Sequence, residues 1–230
     1  MRVMVTGSNR GIGLEFVRQL LARGATVFAT ARQPEQADAL AALKQAHGAA
    51  LHIVELDVAD PHSVVNAHAA VTQQTDALDL LINNAAILIE GEGLGQLDKD
   101  NLVRTLEVNV AGPMLVTQQF MTLLAAGTQP RLVYISSGAG SIARARSGLV
   151  SYRVSKAALN MLMRVLDHDL KPKGIASLAL NPGWVATDMG GADASLQAAE
   201  SVRHQLQVID ALTLEQSSTF LDYDGSPIAW

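Results

Sequence analysis

Tyr152 and Lys156 are spaced so that they could act together in acid–base chemistry. A separation of four residues brings both side chains to one face of a helix. A phenol with its ordinary pKa of about 10 is a poor acid or base near neutral pH, and a positive charge one turn away lowers that pKa. Such pairs also arise by chance, but this one opens a predicted helix after a strand that ends in Ser136 and Ser137. We therefore expect proton transfer at this point of the fold.

A glycine-rich turn follows the first predicted strand, with the sequence Thr6-Gly7-Ser8-Asn9-Arg10-Gly11-Ile12-Gly13. Glycines let the backbone approach a pyrophosphate closely, and the N–H groups of the helix that follows point at its oxygens. The spacing is Gly-x3-Gly-x-Gly, not the more common Gly-x-Gly-x-x-Gly. The turn predicts a dinucleotide site, and the alternative is an ordinary turn between a strand and a helix.

The second predicted strand ends in Ala31 and Arg32, without the acidic residue that would bind the ribose 2′-hydroxyl of NAD. A carboxylate here would repel a 2′-phosphate, whereas a guanidinium pairs with it. Arg10, in the glycine-rich turn, adds a second positive charge. The two arginines favour NADP over NAD, and the alternative is that Arg32 is an ordinary solvated loop residue.

Three further polar segments follow predicted strands, where ligands lie in open α/β sheets. They are residues 55–58 (Glu-Leu-Asp-Val), 82–86 (Ile-Asn-Asn-Ala-Ala) and 181–187 (Asn-Pro-Gly-Trp-Val-Ala-Thr). Taken singly, each is typical of a turn.

Pro113 lies inside a predicted helix over Asn101–Ala126. Because proline has no N–H, the carbonyl of Asn109, four residues earlier, loses its helical partner. We therefore predict a kink at Asn109, with that carbonyl free to hold a water molecule. The alternative is a kink that serves packing only.

Seven short apolar runs are the predicted strands that position these residues: Arg2–Thr6, Thr26–Thr30, Leu51–Leu56, Leu78–Ile82, Arg131–Ile135, Ile175–Leu180 and Ser218–Leu221. Most are apolar throughout, which is typical of parallel strands buried on both faces. Helical patterns separate them, at Gly11–Arg23, Glu35–Gln45, Pro61–Gln74, Asn101–Ala126, Ser151–Leu170 and Ser195–Leu212. The sequence thus predicts an α/β fold: a Rossmann-like doubly wound parallel sheet of about seven strands, with helices on both faces, in a single domain over residues 1–230.

The composition excludes several other classes of protein. The 230 residues are 49% hydrophobic and only 17% charged, which excludes a disordered chain and fits a sheet covered on both faces. The absence of cysteine excludes disulfides and thiolate chemistry. The net charge of −5 and 4% aromatic content argue against nucleic-acid binding. No apolar run approaches a membrane span of about 20 residues, so we expect a cytoplasmic protein. The six histidines lack metal-site spacing, so we expect no metal.

Together these features resemble the short-chain dehydrogenase/reductase family. The matching landmarks occur in family order: Thr6–Gly13, Asp57, residues 83–86, Asn109, Ser136-Ser137, Tyr152 with Lys156, and Pro182-Gly183. The resemblance covers at least residues 2–189. Residues 182–191 and 220–225 look like the branch of small carbonyl reductases of the C-factor and sniffer type.

The resemblance implies an NADP-dependent oxidoreductase that transfers a hydride between NADPH and an aldehyde or ketone. Tyr152 would be the general acid in carbonyl reduction and the base in the reverse direction. Lys156 would lower the pKa of Tyr152 and hold the nicotinamide ribose. Ser137 would bind the substrate oxygen, and Asn109 would hold a water in a proton relay to Lys156.

The resemblance also implies a set of cofactor-binding residues: Gly7, Asn9, Arg10, Gly11, Ile12, Gly13, Arg32, Asp57, Val58, Asn83, Ala85, Tyr152, Lys156, Pro182, Gly183, Val185 and Thr187. Ser137 lies further from Tyr152 than is usual in the family, so Ser136 or Ser141 could bind the substrate oxygen instead. Arg144 and Arg146 could meet an anionic substrate or lie in a solvated loop.

Two other functions stay open at this stage. One is an NAD-dependent alcohol dehydrogenase of the same family, and the other is a cofactor-binding signalling or regulatory protein without significant turnover. In either case we expect a small-molecule ligand and no nucleic-acid or membrane partner. The resemblance suggests a homodimer or homotetramer that packs through Asn101–Ala126 and Ser151–Leu170.

Overall fold

The seven predicted strands form one parallel sheet in a computed structural model that describes residues 1–230. The strands of this sheet are β1 Arg2–Val5, β2 Thr26–Ala31, β3 Leu51–Glu55, β4 Leu80–Asn83, β5 Arg131–Ile135, β6 Ala176–Asn181 and β9 Thr219–Asp222. Two short strands, β7 Val185–Ala186 and β8 Leu196–Gln197, pair with each other in a second, two-stranded sheet. Across the large sheet the order is β3-β2-β1-β4-β5-β6-β9, and all neighbours are parallel. The predicted α/β fold is confirmed.

The helices connect these strands in alternation with them. They are α1 Gly11–Ala22, α2 Asp38–His47, α3 Pro61–Thr72, α4 Lys99–Leu106, α5 Gly112–Ala125, α6 Val150–Leu170 and α7 Ala198–Ala211. None of these helices combines the length and apolar character that crossing a membrane requires.

Apolar side chains on both faces of the strands explain the low charge of the chain. On one face Val3 and Val5 of β1 pack in a core that includes Phe16 of α1. On the other face Met4 packs in a second core that includes Phe120 of α5. Because both cores exclude water, the central strands need no alternation of polar and apolar residues.

Two predicted helices begin later than their patterns suggested. The segment predicted at Ser195–Leu212 starts as a helix only at Ala198, because residues 196–197 pair with β7 as strand β8. The segment predicted at Glu35–Gln45 begins with a 3-10 turn over Pro34–Gln36, and α2 starts at Asp38.

The helix predicted over Asn101–Ala126 is interrupted around Asn109. A π-helical segment over Glu107–Ala111 separates α4 from α5, and the Gly112 N–H donates to the Glu107 carbonyl five residues earlier. Pro113 sits in the first turn of α5, where its missing N–H is tolerated. The regular helix is thus interrupted at the position of the predicted kink, and the interruption takes the form of a π segment.

The order of the strands places a crevice at their carboxyl ends. The chain builds β2 and β3 on one side of β1 and then returns to place β4 on the other side. The connections that leave β1 and β4 therefore separate, which is where ligands bind in sheets of this type.

At the amino ends of the strands, opposite the crevice, the buried carboxylate of Asp79 joins the start of β4 to Arg2 in β1 and to Thr128 before β5. It accepts hydrogen bonds from the Arg2 backbone N–H at 2.7 Å, from the Arg2 guanidinium at 2.9 Å and from the Thr128 N–H at 2.9 Å. Burial alone raises the pKa of Asp79, but the bonds from Arg2 and Thr128 outweigh it and lower the pKa to about 2.

We predict that Asp79→Asn lowers the free energy of unfolding at pH 7 by about 2.5 kcal/mol, which is the free energy that corresponds to that pKa shift. A depressed carboxyl pKa stabilises the fold above the unfolded pKa of about 3.9, and this stabilisation is lost as pH falls through the folded pKa of about 2. Urea unfolding at pH 7 and at pH 3 measures the change, and the difference from wild type should shrink at pH 3. Asp76→Asn, at a fully solvated site, is the control. Equal losses in both variants would contradict the assignment.

Candidate active site

Lys156 is buried under the carboxyl edge of the sheet. It lies in α6 with 2% of its surface exposed, and its Nζ donates to the carbonyl of Ile135, at the end of β5, over 2.8 Å. The ammonium nitrogen lies 5.6 Å from the centroid of the Tyr152 ring, within reach of a cation–π contact. Burial lowers the pKa of Lys156 to about 7.

Tyr152 keeps part of its surface exposed, next to Ser137. Burial raises the pKa of Tyr152, while a hydrogen bond with the Ser137 side chain opposes this rise. The net direction is opposite to the one predicted from the Tyr-x-x-x-Lys spacing. The physical reason is that burial of the phenol disfavours the phenolate more than the hydrogen bond with Ser137 favours it. The phenol is therefore protonated at neutral pH, as a general acid must be.

The three candidate serines have different hydrogen-bond partners. Ser136 donates to the Asn160 side chain at 2.6 Å, and Ser141 donates to the Ala229 carbonyl at 2.6 Å. Both are almost completely buried. Ser137 accepts a bond from the Ala139 N–H at 3.1 Å, and the further partner of its hydroxyl is the Tyr152 phenol. The geometry therefore favours Ser137 among the three.

Asn109 is fully buried in the π segment, and its side chain joins two other parts of the site. Its Oδ1 accepts from the Ile87 N–H at 2.8 Å, and its Nδ2 donates to the Ile87 carbonyl at 2.9 Å. Nδ2 also donates to the Ser155 hydroxyl of α6 at 3.0 Å. The side chain thus ties the segment after β4 to α6, and the water predicted on its backbone carbonyl stays a prediction.

The glycine-rich turn requires glycine at two positions. Gly7 has a positive φ of 65°, and a Cβ there would lie 2.9 Å from the Ala85 Cα. A Cβ on Gly13 would collide with the carbonyl oxygen of Gly7. The end of the turn at Gly13 therefore packs tightly against Gly7, and Gly7 packs tightly against Ala85 in the segment after β4.

Thr6 and Asn84 hold this turn in place, and sequence reasoning did not assign them this role. The Asn84 amide donates to the carbonyls of Thr6 and Gly7 at 2.8 and 3.0 Å. The Thr6 hydroxyl accepts from the N–H groups of Asn84 and Ala85 at 2.9 and 3.0 Å. The available signal was that β1 and β4 are neighbours in a doubly wound sheet, so that the residues following them meet.

The segment after β6 closes the other side of the turn. The Thr187 methyl lies 3.5 Å from where a Gly11 Cβ would stand. Arg10 forms an ion pair with Asp188 at 2.5 Å, so one of the two predicted cationic side chains has an acidic partner. Arg32 is exposed at the end of β2 and forms no ion pair.

The predicted cofactor residues fall into two groups. Those with exposed or half-buried surface are Gly7, Asn9, Arg10, Gly11, Ile12, Arg32, Asp57, Ala85, Tyr152, Gly183 and Thr187. Those that are buried are Gly13, Val58, Asn83, Lys156, Pro182 and Val185.

Asn83 and Val58 show why burial matters for these assignments. The Asn83 amide donates to the Thr117 hydroxyl at 3.3 Å, inside the protein, and its Oδ1 has no partner. The Val58 side chain lies against Gly112 at the start of α5. For both residues, only the backbone is left to meet a ligand at the edge of the sheet.

The residues at this edge fit a phosphorylated dinucleotide. The turn leaves a cradle that side chains at Gly7 or Gly13 would fill, and α1 begins without a side-chain cap on its first N–H groups. Those N–H groups and the unpaired Arg32 are suited to phosphate oxygens. No group of three or more His, Asp or Glu side chains is placed to hold a metal ion.

Comparison with known proteins agrees with this geometry. A family model described as short chain dehydrogenase matches residues 1–198. C-signal of Myxococcus xanthus is 43% identical over 157 residues, which are 68% of this chain and 95% of that protein.

Two solved structures match the fold over the whole chain. NADPH-bound carbonyl reductase from chicken fatty liver has a TM-score of 0.95 and 38% identity, covering 100% of this chain and 98% of its own. The carbonyl reductase Sniffer of D. melanogaster has a TM-score of 0.95 and 33% identity, covering 100% of this chain and 99% of its own.

Proposed function

This chain belongs to the short chain dehydrogenase family. We propose that it is an NADP-dependent reductase of aldehydes or ketones. The observation that carries the proposal is the group formed by Ser137, Tyr152 and Lys156 at the carboxyl edge of the sheet. It combines a protonated phenol, a hydroxyl that is hydrogen-bonded to that phenol and a buried amine beneath the phenol ring.

In the proposed mechanism each of these groups acts on the carbonyl oxygen or on the phenol. A nicotinamide cofactor held at the glycine-rich turn would supply the hydride. Ser137 donates a hydrogen bond to the carbonyl oxygen and orients it, and Tyr152 transfers its phenolic proton to the same oxygen. Lys156 stabilises the phenolate that remains, because a nearby positive charge favours the ionised form. A water on the Asn109 carbonyl would return a proton through Lys156.

The cofactor preference rests on the charge at the end of β2. Arg32 is exposed and unpaired, and Ala31 stands before it where an acid would select NAD. The chicken liver relative was solved with NADPH bound. Both observations support NADP for this chain.

A signalling role is the second candidate, favoured by the 43% identity with C-signal. In that case the cofactor would bind and carbonyl turnover would be absent. The two candidates differ in whether the wild-type protein reduces carbonyls, and only a reductase would lose turnover when the Tyr152 hydroxyl is removed.

We predict that Tyr152→Phe lowers kcat for carbonyl reduction by at least about 100-fold, the usual contribution of a general acid. NADPH oxidation with a panel of aldehydes, ketones, quinones and ketosteroids measures turnover, and fluorescence titration measures the Kd of NADPH, which should change less than about twofold. Tyr223→Phe is the matched control. Unchanged turnover in Tyr152→Phe would contradict the catalytic assignment, and a wild-type protein that binds NADPH but reduces no carbonyl would favour the signalling role.

We predict that Arg32→Ala raises the Kd of NADPH about tenfold and leaves that of NADH unchanged. The reason is that a charge-assisted bond to the 2′-phosphate contributes about 1.5–3 kcal/mol, and about 1.4 kcal/mol is tenfold in affinity. Titration of both cofactors is the measurement, with Arg104→Ala as the control at an exposed site in α4. Equal effects on NADPH and NADH, or no effect on NADPH, would exclude recognition of the 2′-phosphate by Arg32.

We also propose that two copies of the chain associate through α4, α5 and α6. These helices leave five apolar side chains exposed: Val103, Met114, Val154, Met161 and Val165. On α6, Val154, Met161 and Val165 recur at intervals of seven and four residues and so lie along one side of the helix, as the apolar face of a helix in an interface does.

We predict that the double variant Met161→Glu/Val165→Glu is a monomer, because it places two carboxylates in the proposed interface. Light scattering after size-exclusion chromatography measures the molar mass. Val65→Glu, on α3, introduces a charge at an exposed apolar site outside these helices and should leave the oligomer intact. A monomeric wild-type protein would exclude the interface.

A further inference from the structure

Glu92 is a buried carboxylate beside the proposed catalytic helix. It lies in the connection between β4 and α4 with 5% of its surface exposed, and it forms no ion pair. Both of its oxygens are bound to Ser151: Oε2 accepts from the backbone N–H at 2.7 Å, and Oε1 accepts from the hydroxyl at 2.5 Å. Burial of a carboxylate is costly unless hydrogen bonds replace those it made with water. For Glu92, both of these hydrogen bonds come from Ser151.

Ser151 lies in the first turn of α6, immediately before Tyr152. The first N–H groups of a helix have no partner within it, and a side chain of the preceding residue usually supplies an acceptor. Here the preceding residue is Leu149, whose apolar side chain has no acceptor atom. Glu92 supplies the acceptor from a different part of the chain, and its negative charge is favourable at a helix N-terminus.

A second hydrogen bond, between Asn109 and Ser155, holds α6 on the other side of Tyr152. Ser155, three residues later, accepts a bond from Asn109, and Asn109 also binds both backbone groups of Ile87. The connection from β4 to α4 is therefore fixed at Ile87 and again at Glu92. The two attachments reach α6 at Ser155 and Ser151, so that they flank Tyr152.

We propose that Glu92 is a positioning residue, which holds the first turn of α6 so that the Tyr152 phenol faces Ser137. It does not touch the substrate itself. This inference rests on the proposed reductase function, because it assigns Tyr152 the proton transfer. Its structural part, the cap on α6, is independent of turnover.

The test compares Glu92→Gln with the matched control Glu90→Gln, an exposed residue of the same connection. Glutamine keeps the shape but replaces one accepting oxygen with a donating NH2 group. We expect kcat for carbonyl reduction to fall at least about tenfold in Glu92→Gln. The Kd of NADPH should stay within about twofold, because the glycine-rich turn and Arg32, which would hold the phosphates, lie outside this contact. Glu90→Gln should match wild type.

Ser151→Ala removes the hydrogen bond from the Ser151 hydroxyl to Glu92 and keeps the one from the Ser151 backbone N–H. It is the second variant to use if Glu92→Gln does not fold. Residues that act through one contact are not additive, so the double variant should lose no more kcat than Glu92→Gln alone. General destabilisation would instead give losses that add. Wild-type kcat in folded Glu92→Gln, additive losses, or a parallel loss of NADPH affinity would each overturn the proposal.

Amide hydrogen exchange separates this inference from the proposed function. In Glu92→Gln the amide of Ser151 should exchange at least about tenfold faster, while the amides of α7 stay as in wild type. If the wild-type protein reduces no carbonyl, the proposed function fails, and faster exchange confined to the first turn of α6 would still support the cap. An unchanged Ser151 amide would overturn the cap as well.

Discussion

The burial of the Lys156 ammonium group is the constraint on which the site depends. Its Nζ has one hydrogen bond, to the carbonyl of Ile135 at the end of β5, and desolvation lowers its pKa to about 7. A buried amine with so few polar partners opposes its own charging, yet the proposed chemistry uses that charge beneath the ring of Tyr152. The fold must therefore hold the two side chains together against this cost, which is how strained functional groups persist in otherwise stable proteins.

The contacts around α6 show how this is achieved. The helix is attached at its start through Ser151 to Glu92, one turn later through Ser155 to Asn109, and further on through Asn160 to Ser136. Each attachment comes from a segment that follows the carboxyl end of a strand or from the π segment. Because the sheet fixes those ends, Tyr152 is positioned by rigid elements before any substrate arrives, and proton transfer depends on such preorganisation.

The sequence predicted the sheet well because buried parallel strands are recognisable as short apolar runs, and Pro113 indicated the irregular turn at Asn109. The position of Ser137 beside Tyr152 was one of three alternatives until Ser136 and Ser141 were found bound to partners far along the chain. Pairings between distant loops leave no local pattern. The same reason hid the cap that Glu92 provides, since it depends on how a connection without a motif returns to α6.

The most direct test of this account is the pKa of Lys156, measured by following the Cε and Nζ signals of isotopically labelled lysine with pH in the cofactor-free protein. The signal that is missing from Lys156→Met identifies the residue. We expect this signal to titrate near pH 7, because burial disfavours the ammonium form. A titration at the ordinary value of about 10.4 would show that water or an anionic partner solvates the amine, and would contradict the account.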